Sequence, residues 1–144
     1  MKNIIEICEK DEAKIIVDSI NSYNLGKIPP LLPELWTPIN LVSKNKEGQI
    51  IGGLLSGIGY WGGLEINILW VHEDYRHNGL GTQLLQKAEN IAKSKGAVIS
   101  ILDTFDFQAE GFYIKNEYII FGKLDNFPKG HKRIYFSKKL SSDS

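Results

Sequence analysis

Cysteine is almost absent from this chain, which contains only Cys8. One thiol cannot form an internal disulfide or a cysteine metal cluster, and such scarcity is typical of a reducing compartment, so we expect a cytoplasmic protein. Histidine is also scarce, with three residues. Because no carboxylate or thiol partners stand at ligand spacing around them, we expect no metal site.

Neither a net charge nor a long apolar run is present. Seventeen basic residues balance seventeen acidic residues, so no field over the whole protein would attract nucleic acid or an anionic membrane. The stretch "MKNIIEICEKDEAKIIV" has charges every few positions, unlike a signal peptide or a membrane-spanning helix. We therefore expect neither nucleic acid nor membrane as a partner, and the 144 residues suit a single domain.

Apolar periodicity and turn residues predict alternating strands and helices. We expect a strand at 3–7, a helix at 11–23, three antiparallel strands at 39–44, 50–59 and 64–71, and a helix from Gly79 to Gly96. A strand at 97–104, a short helix at 107–115 and strands at 117–124 and 132–140 follow. Residues 24–38 hold four of the five prolines and are predicted to be a cover loop, and 141–144 a frayed tail.

Two glycines and an arginine lie where an apolar strand gives way to a helix, in "VHEDYRHNGLGTQLL" (71–85). The first turn of a helix has unpaired N–H groups and a partial positive charge, so this point suits an anion. Gly79 and Gly81 would let a ligand approach the backbone, and Arg76 and Asn78 add charge and donors. The pattern therefore predicts a phosphate site. A P-loop or a dinucleotide fingerprint fits poorly, because the lysine–hydroxyl pair and the third glycine are missing.

The segment "RHNGLG" (76–81) resembles the pyrophosphate loop of the GNAT N-acetyltransferase family at every defined position of Gln/Arg-x-x-Gly-x-Gly/Ala. A second segment, "DFQAEGFYIKNEY" (106–118), is similar to another signature of that family, with matches at Ala109, Phe112, Tyr113 and Lys115. Asp106 and Glu117 depart from it, since they stand where the family usually has asparagine and glycine. The resemblance covers almost the whole chain and implies a single α/β (α+β) domain, with a mixed, mostly antiparallel sheet and helices on both faces.

The resemblance also implies a reaction. Acetyl-CoA would be the co-substrate, an amine of a small molecule or peptide would attack the thioester directly, and no metal would take part. The cofactor would lie between the strands that end near Val71 and Thr104, and the protein would be a monomer or homodimer. The residues expected to bind acetyl-CoA are Leu69, Trp70, Val71, Arg76, His77, Asn78, Gly79, Leu80, Gly81, Thr82 and Asp106.

Tyr113 and Glu65 are the predicted catalytic residues. The resemblance implies that Tyr113 is the general acid, because a neutral phenol can donate a proton to the leaving sulfur; the alternative is a core aromatic. Glu65 lies at the offset of the general base of some family members and could take the proton of the amine; the alternative is a surface glutamate. A second function stays open, a CoA-binding sensor or regulatory module without turnover, which would need neither an acid nor a base.

Overall fold

The computed structural model describes residues 2–141 and, within them, three α-helices and seven strands. These residues form two compact units, one that ends at Pro30 and one that begins at Leu31. In the first unit, α1 spans Lys10–Leu25. The backbone N–H of Glu9 donates to Glu12 Oε1 at 2.9 Å as part of a capping box, which fixes the beginning of the helix. The helix predicted at 11–23 is confirmed.

The strand predicted at 3–7 is wrong. Residues 2–9 form neither a helix nor a strand. A short apolar run is enriched in strands, but a strand exists only where a second strand pairs with its N–H and C=O groups. The apolar pattern of five residues contains no information about such a partner.

The second unit is built on a seven-stranded sheet. Its strands are β1 Trp36–Pro38, β2 Leu41–Lys44, β3 Ile50–Gly59, β4 Gly63–Val71, β5 Ile99–Phe105, β6 Ile119–Asp125 and β7 Lys132–Lys139. The order is β1-β3-β4-β5-β7-β6, and β2 also pairs with β3. Among the described strands, β4 and β5 are the parallel pair and all other pairs are antiparallel. The predicted mixed, mostly antiparallel sheet is confirmed.

Two helices connect strands of this sheet. After β4, a 3-10 turn at Glu73–Tyr75 leads to α2, Leu80–Ser94. Residues on one face of α2 are buried: Leu84, Leu85, Ala88 and Ala92. The chain leaves the helix through Gly96 at φ 99°, where glycine is favoured because a side chain would be strained. This helix end was predicted. The short helix α3, Glu110–Lys115, follows β5.

The predicted cover loop differs from expectation at its carboxyl end. Residues 36–38 form β1, which pairs with β3. Before it, the N–H groups of Leu31 and Leu32 donate to the carbonyl of Tyr60 at 2.8 and 3.0 Å, and Leu32 is buried. Residues 31–38 are therefore hydrogen-bonded to the β3–β4 hairpin, although most of them are exposed. The frayed tail was predicted at 141–144, and residues 142–144 lie outside the described residues.

Candidate active site

The parallel strands β4 and β5 separate part-way along their length, and the separation creates a cleft. Their pairing runs from Gly63 to Ile66 of β4, whereas β4 continues to Val71 and β5 to Phe105. Beyond the last pair, backbone groups on the facing edges of both strands lack a sheet partner across the gap. This opening lies where the sequence placed the acetyl-CoA cleft, between the strand ends near Val71 and Thr104.

A cavity of about 290 Å³ occupies this opening, which is near the lower end of the range for small-molecule sites. β4, β5, the turn into α3, α3 itself and β7 all contribute to its wall. The lining residues are Ile66, Asn67, Ile68, Leu69, Leu102, Asp103, Thr104, Phe105, Gln108, Ala109, Tyr113 and Arg133. Of the predicted site residues, Leu69 and Tyr113 are brought together here.

A β-bulge at Asn67 shapes the β4 side of the cavity. The pairing of β3 with β4 skips this residue. Before it, Leu64 and Ile66 are buried, and after it, Leu69 and Val71 pack against the core. The β4 side chains that point into the core therefore lie at even-numbered positions before Asn67 and at odd-numbered positions after it. Bulges often lie beside active sites because they redirect side chains and interrupt pairing, and this one coincides with the point where β4 leaves β5.

Tyr113 is a buried polar group of the cavity wall. Its ring lies 5.1 Å from that of Phe112 and 5.5 Å from that of Phe136, and only 8% of the residue is exposed. Burial, and secondarily the negative charge of Asp103, raise the pKa of Tyr113 to about 12. Its phenol is therefore neutral at physiological pH. Among residues 2–141 no group forms a hydrogen bond with it, so its proton is available for donation into the cavity.

Glu65 is exposed and lies on the closed part of the sheet. Its register partners are Gly57 of β3 and Ile101 of β5, so it precedes the last β4–β5 pair. The cavity wall formed by the described residues includes Asp103 but not Glu65. Glu65 and Asp103 nevertheless share one face of the sheet, because Asp103 is two positions beyond Ile101.

The glycine turn presents the amino-terminal end of α2 without a side-chain cap. Gly79 is the N-cap residue, with φ 82° and ψ 4°, a left-handed conformation that costs other residues free energy. A Cβ at this position would meet no atom within 4 Å. His77 is also left-handed, at φ 67°. The space beside Gly79 at the start of α2 is therefore open, as an anion site there would require.

Arg76 connects the glycine turn to the end of β4. Its Nε donates to the carbonyl oxygen of Val71 at 3.0 Å, which holds the guanidinium group between the cleft edge and the helix start. Arg76, His77 and Asn78 are all exposed. Trp70 is also exposed, with its ring 6.1 Å from that of His72.

Gly81 has a packing role in the structure, and the ligand approach that the sequence suggested for it stays a prediction. A Cβ there would lie 3.2 Å from ring carbons of Phe112, so glycine lets α2 approach α3 closely. The neighbouring Thr82 accepts a hydrogen bond on Oγ1 from Asn116 at 3.4 Å. Gly81, the last residue of the pyrophosphate pattern, and Thr82, which follows it, thus connect the first turn of α2 with α3.

Asp106 is engaged by the turn before β7. Its Oδ1 lies 2.9 Å from His131 Nδ1, and its Oδ2 accepts the backbone N–H of Lys132 at 2.9 Å. Asp106 does not line the cavity within the described chain. Gln108 does, and its Oε1 accepts from Thr104 Oγ1 at 2.8 Å and Phe105 N at 2.9 Å. The carboxamide of Gln108 therefore lies two positions after Asp106, where the family usually has the carboxamide of asparagine.

Asp103 and Arg133 line the cavity although the sequence analysis missed both. The guanidinium of Arg133 lies 4.5 Å from the ring of Phe105 and 3.7 Å from that of Phe127, a double cation–π contact. Its Nε lies 3.7 Å from Asp103 Oδ1. No local motif could have found this pair, because only β5–β7 pairing brings the two residues together.

The comparisons with known proteins agree with this geometry. The model of the acetyltransferase (GNAT) family matches residues 5–118. The chain belongs to the GNAT acetyltransferase family. The family resemblance predicted from the two motifs is thereby confirmed, and so is the predicted enzyme class at the level of an acetyltransferase family.

Relatives within the GNAT family extend over much of the chain. Blasticidin-S acetyltransferase of Streptomyces morookaense is 35% identical over 86 residues, which cover 59% of this chain and 62% of that relative. The crystal structure of an acetyltransferase from Bacillus cereus ATCC 14579 is 38% identical with a TM-score of 0.86, and it covers 95% of this chain and 97% of its own. A Bacillus anthracis structure described as a streptothricin acetyltransferase was solved in complex with acetyl coenzyme A. It shares 23% identity and a TM-score of 0.63 over 78% of this chain and 64% of its own, which shows the same fold.

Two further observations concern other kinds of site. Within residues 2–141, no three His, Cys, Asp or Glu side chains are grouped so that they could hold a metal ion. No helix in the described part of the chain is both long and apolar enough to span a membrane.

Proposed function

We propose that this GNAT protein is an N-acetyltransferase that transfers the acetyl group of acetyl-CoA to a primary amine of a small molecule or peptide. The observation that carries the proposal is the cleft where β4 and β5 separate, with the neutral Tyr113 phenol in its wall. Relatives named for blasticidin S and streptothricin support a small amine acceptor. The alignment with the blasticidin-S acetyltransferase spans 62% of that relative. A small amine acceptor is therefore proposed for this chain and not assigned to it by the comparison.

Acetyl-CoA is proposed to bind along β4 with its diphosphate at the uncapped first turn of α2. The N–H groups near Leu80 would receive the phosphates, and Gly79 leaves room for them. Arg76, His77 and Asn78 would add charge and donors at the rim. The free edge of β4 from the bulge to Val71 would face the pantetheine arm and the thioester, with Leu69 in the cavity wall.

The chemistry needs a polarised carbonyl, an uncharged amine and a protonated leaving sulfur. Backbone N–H groups on the free β4 edge are candidates for polarising the thioester carbonyl. Tyr113 is proposed to donate its proton to sulfur, because its raised pKa keeps it protonated until the thiolate forms. The amine proton would go to a carboxylate on this face of the sheet, where Glu65 is the residue that the family resemblance suggested.

Thiol release from acetyl-CoA tests the proposal. Wild-type protein is incubated with acetyl-CoA and, one at a time, blasticidin S, a streptothricin, spermidine and lysine amide, and the product is identified by mass as an acetamide. Release that depends on one amine supports the enzyme. Calorimetric binding of CoA with no release for any amine would favour a sensor. A cytoplasmic location and a monomeric or homodimeric state stay predictions.

A further inference from the structure

We propose that Asp103 is the catalytic carboxylate that binds the acceptor's ammonium group and takes its proton, in the same cavity whose wall contains Tyr113. The inference rests on the proposed acetyl transfer. It assigns the base to a residue that lies outside both sequence motifs.

Asp103 lies on β5 just beyond the point where β4 and β5 separate. The last β4–β5 pair joins Ile66 to Leu102, so Asp103 is the first β5 residue beyond the point where the strands separate. Across the gap, the corresponding β4 residue is the bulged Asn67, and both line the cavity. Glu65 instead lies before the last pair, where β5 still occupies the edge of β4. Asp103 is therefore the carboxylate that borders the space where a thioester can be reached.

The Asp103 carboxylate is oriented by a nearby cation and stays accessible to a ligand. Arg133 Nε lies 3.7 Å from Oδ1, within reach of electrostatic attraction but too far for a hydrogen bond. Within residues 2–141, no group forms a hydrogen bond with the Asp103 carboxylate. Its side chain is 46% exposed, so an ammonium group can approach both oxygens. Phe105 and Phe127 on either side of Arg133 fix the guanidinium that orients the carboxylate.

Asp103 and Tyr113, the two proposed proton-transfer groups, border one small space. Asp103 and Tyr113 both line a cavity of about 290 Å³, and the charge of Asp103 is close enough to affect the phenol. An amine held at Asp103 would therefore lie near the sulfur that Tyr113 protonates. A carboxylate base and a phenolic acid at one reaction centre are what aminolysis of a thioester requires.

The protons balance as follows. Asp103 takes one proton from the bound ammonium group, and the neutral nitrogen attacks the thioester carbon to form a C–N bond. The C–S bond breaks while Tyr113 gives its proton to sulfur, which leaves as the thiol of CoA. A second proton from the nitrogen returns to the Tyr113 oxygen. The proton on Asp103 passes to solvent, so one proton is released for each acetamide formed.

Within residues 2–141, the charged or titratable groups to consider beside this carboxylate lie on β4, β7 and α3. Arg133 of β7 attracts it, and Tyr135 of β7 is its register partner. Tyr113 lies in the same cavity wall, and Glu65 occupies the same sheet face nearer the closed end. Because Glu65 is the rival base, the experiment compares the two carboxylates directly.

The experiment measures kcat/KM for the amine that gives the fastest thiol release with wild-type protein, from about pH 7 to about pH 9. The variants are Asp103→Asn, Glu65→Gln and a matched control, Asp125→Asn, at a β6 residue whose side chain is 79% exposed and ion-paired only loosely with Lys132 at 3.9 Å. Acetyl-CoA affinity by calorimetry and thermal unfolding report whether each variant keeps its cofactor site and fold.

We expect Asp103→Asn to lower kcat/KM by about 100-fold or more at neutral pH, with acetyl-CoA affinity and the control's turnover unchanged. The deficit should shrink as pH rises towards the pKa of the amine, because more acceptor is then already neutral. A structural defect would give a deficit that is independent of pH. This inference would be overturned if Asp103→Asn had the kcat/KM of the wild type, or if the pH-dependent loss of kcat/KM were found in Glu65→Gln instead. Either result would leave the proposed acetyl transfer standing. No thiol release by the wild type with any amine would overturn the proposed function and this inference together.

Discussion

Tyr113 and Asp103 face the same cavity, and the Asp103 charge adds to burial in raising the pKa of the Tyr113 phenol to about 12. Both effects keep the phenol protonated, so its proton is still present when a thiolate leaves nearby. A kinetic and a thermodynamic prediction follow from this relationship.

Replacing Tyr113 by phenylalanine should lower turnover by about 10 to 1,000-fold, because the leaving sulfur loses a positioned acid. The aromatic packing against Phe112 and Phe136 is kept in this variant, so acetyl-CoA affinity and the melting temperature should hardly change. Thiol-release kinetics and calorimetry measure the two properties. Turnover equal to wild type would exclude the acid role.

The stability of the protein should fall between about pH 10 and about pH 12. Unfolded tyrosine titrates near 10.0, whereas Tyr113 in the folded protein titrates near 12. In this window the unfolded state has lost a proton that the folded state keeps, so the free energy of unfolding decreases as pH rises. The contribution is fully present below pH 10 and is lost through pH 12, a change of about 3 kcal/mol.

Urea unfolding at several alkaline pH values measures this loss. Tyr113→Phe should reduce the slope, and Tyr23→Phe, at an exposed tyrosine of α1, is the control. Part of the slope should persist, because burial also raises the pKa of Tyr118. Identical slopes for wild type and Tyr113→Phe would contradict the assignment.

Local signals made much of the fold predictable. The bounds of β3 were predicted at 50–59 and observed there, since the turns on both sides contain glycine. The end of α2 was predictable for a similar reason, because Gly96 is a positive-φ residue after an amphipathic helix. In each case the residues that determine the structure are neighbours along the chain.

The features that define the cleft depend on partners far along the chain. The bulge at Asn67 moves the inward positions of β4 by one residue, but Ile68 and Trp70 on the other face are apolar too, so alternation does not reveal it. Asp103 and Arg133 meet only through the register of β5 with β7. Motifs therefore predicted Tyr113 and the glycine turn, but not the charged pair of the cavity wall.

The left-handed conformation of Gly79 should matter for ligand binding and not only for folding. Gly79→Ala is compared with Gly48→Ala, because the two glycines have φ 82° and 81° and neither has an atom within 4 Å of its Cβ position. Both variants should lose about 1 kcal/mol of stability from strain. Only Gly79→Ala should weaken acetyl-CoA binding, by about tenfold or more, since its methyl group would enter the space proposed for the diphosphate.

Calorimetric titration of acetyl-CoA into both variants measures the difference in affinity. Chemical denaturation measures the loss of stability expected of both. Gly48 lies in the turn between β2 and β3, remote in sequence from either motif. If both variants bound acetyl-CoA as the wild type does, the diphosphate would not lie against the start of α2.

A buried ion pair should make Lys138 important for stability. Its Nζ lies 2.8 Å from Glu89 Oε1, and the Glu89 side chain is 7% exposed. The other carboxylate oxygen accepts the Tyr118 hydroxyl at 2.8 Å, and that hydroxyl also lies 2.7 Å from Ser100 Oγ. This network joins α2 to β5 and β7. Lys138→Met should cost about 3 kcal/mol, because it leaves a buried carboxylate without its cation.

Lys132→Met is the matched control, since the Lys132 side chain is 52% exposed and lies 3.9 Å from Asp125, an ion pair expected to contribute less than about 1 kcal/mol. Urea denaturation at neutral pH compares the two variants. Adding Glu89→Gln to Lys138→Met should recover part of the lost stability, because the amide carries no charge that needs a counterion. A double variant less stable than Lys138→Met would show that Glu89 stabilises the protein through Tyr118 rather than through the ion pair.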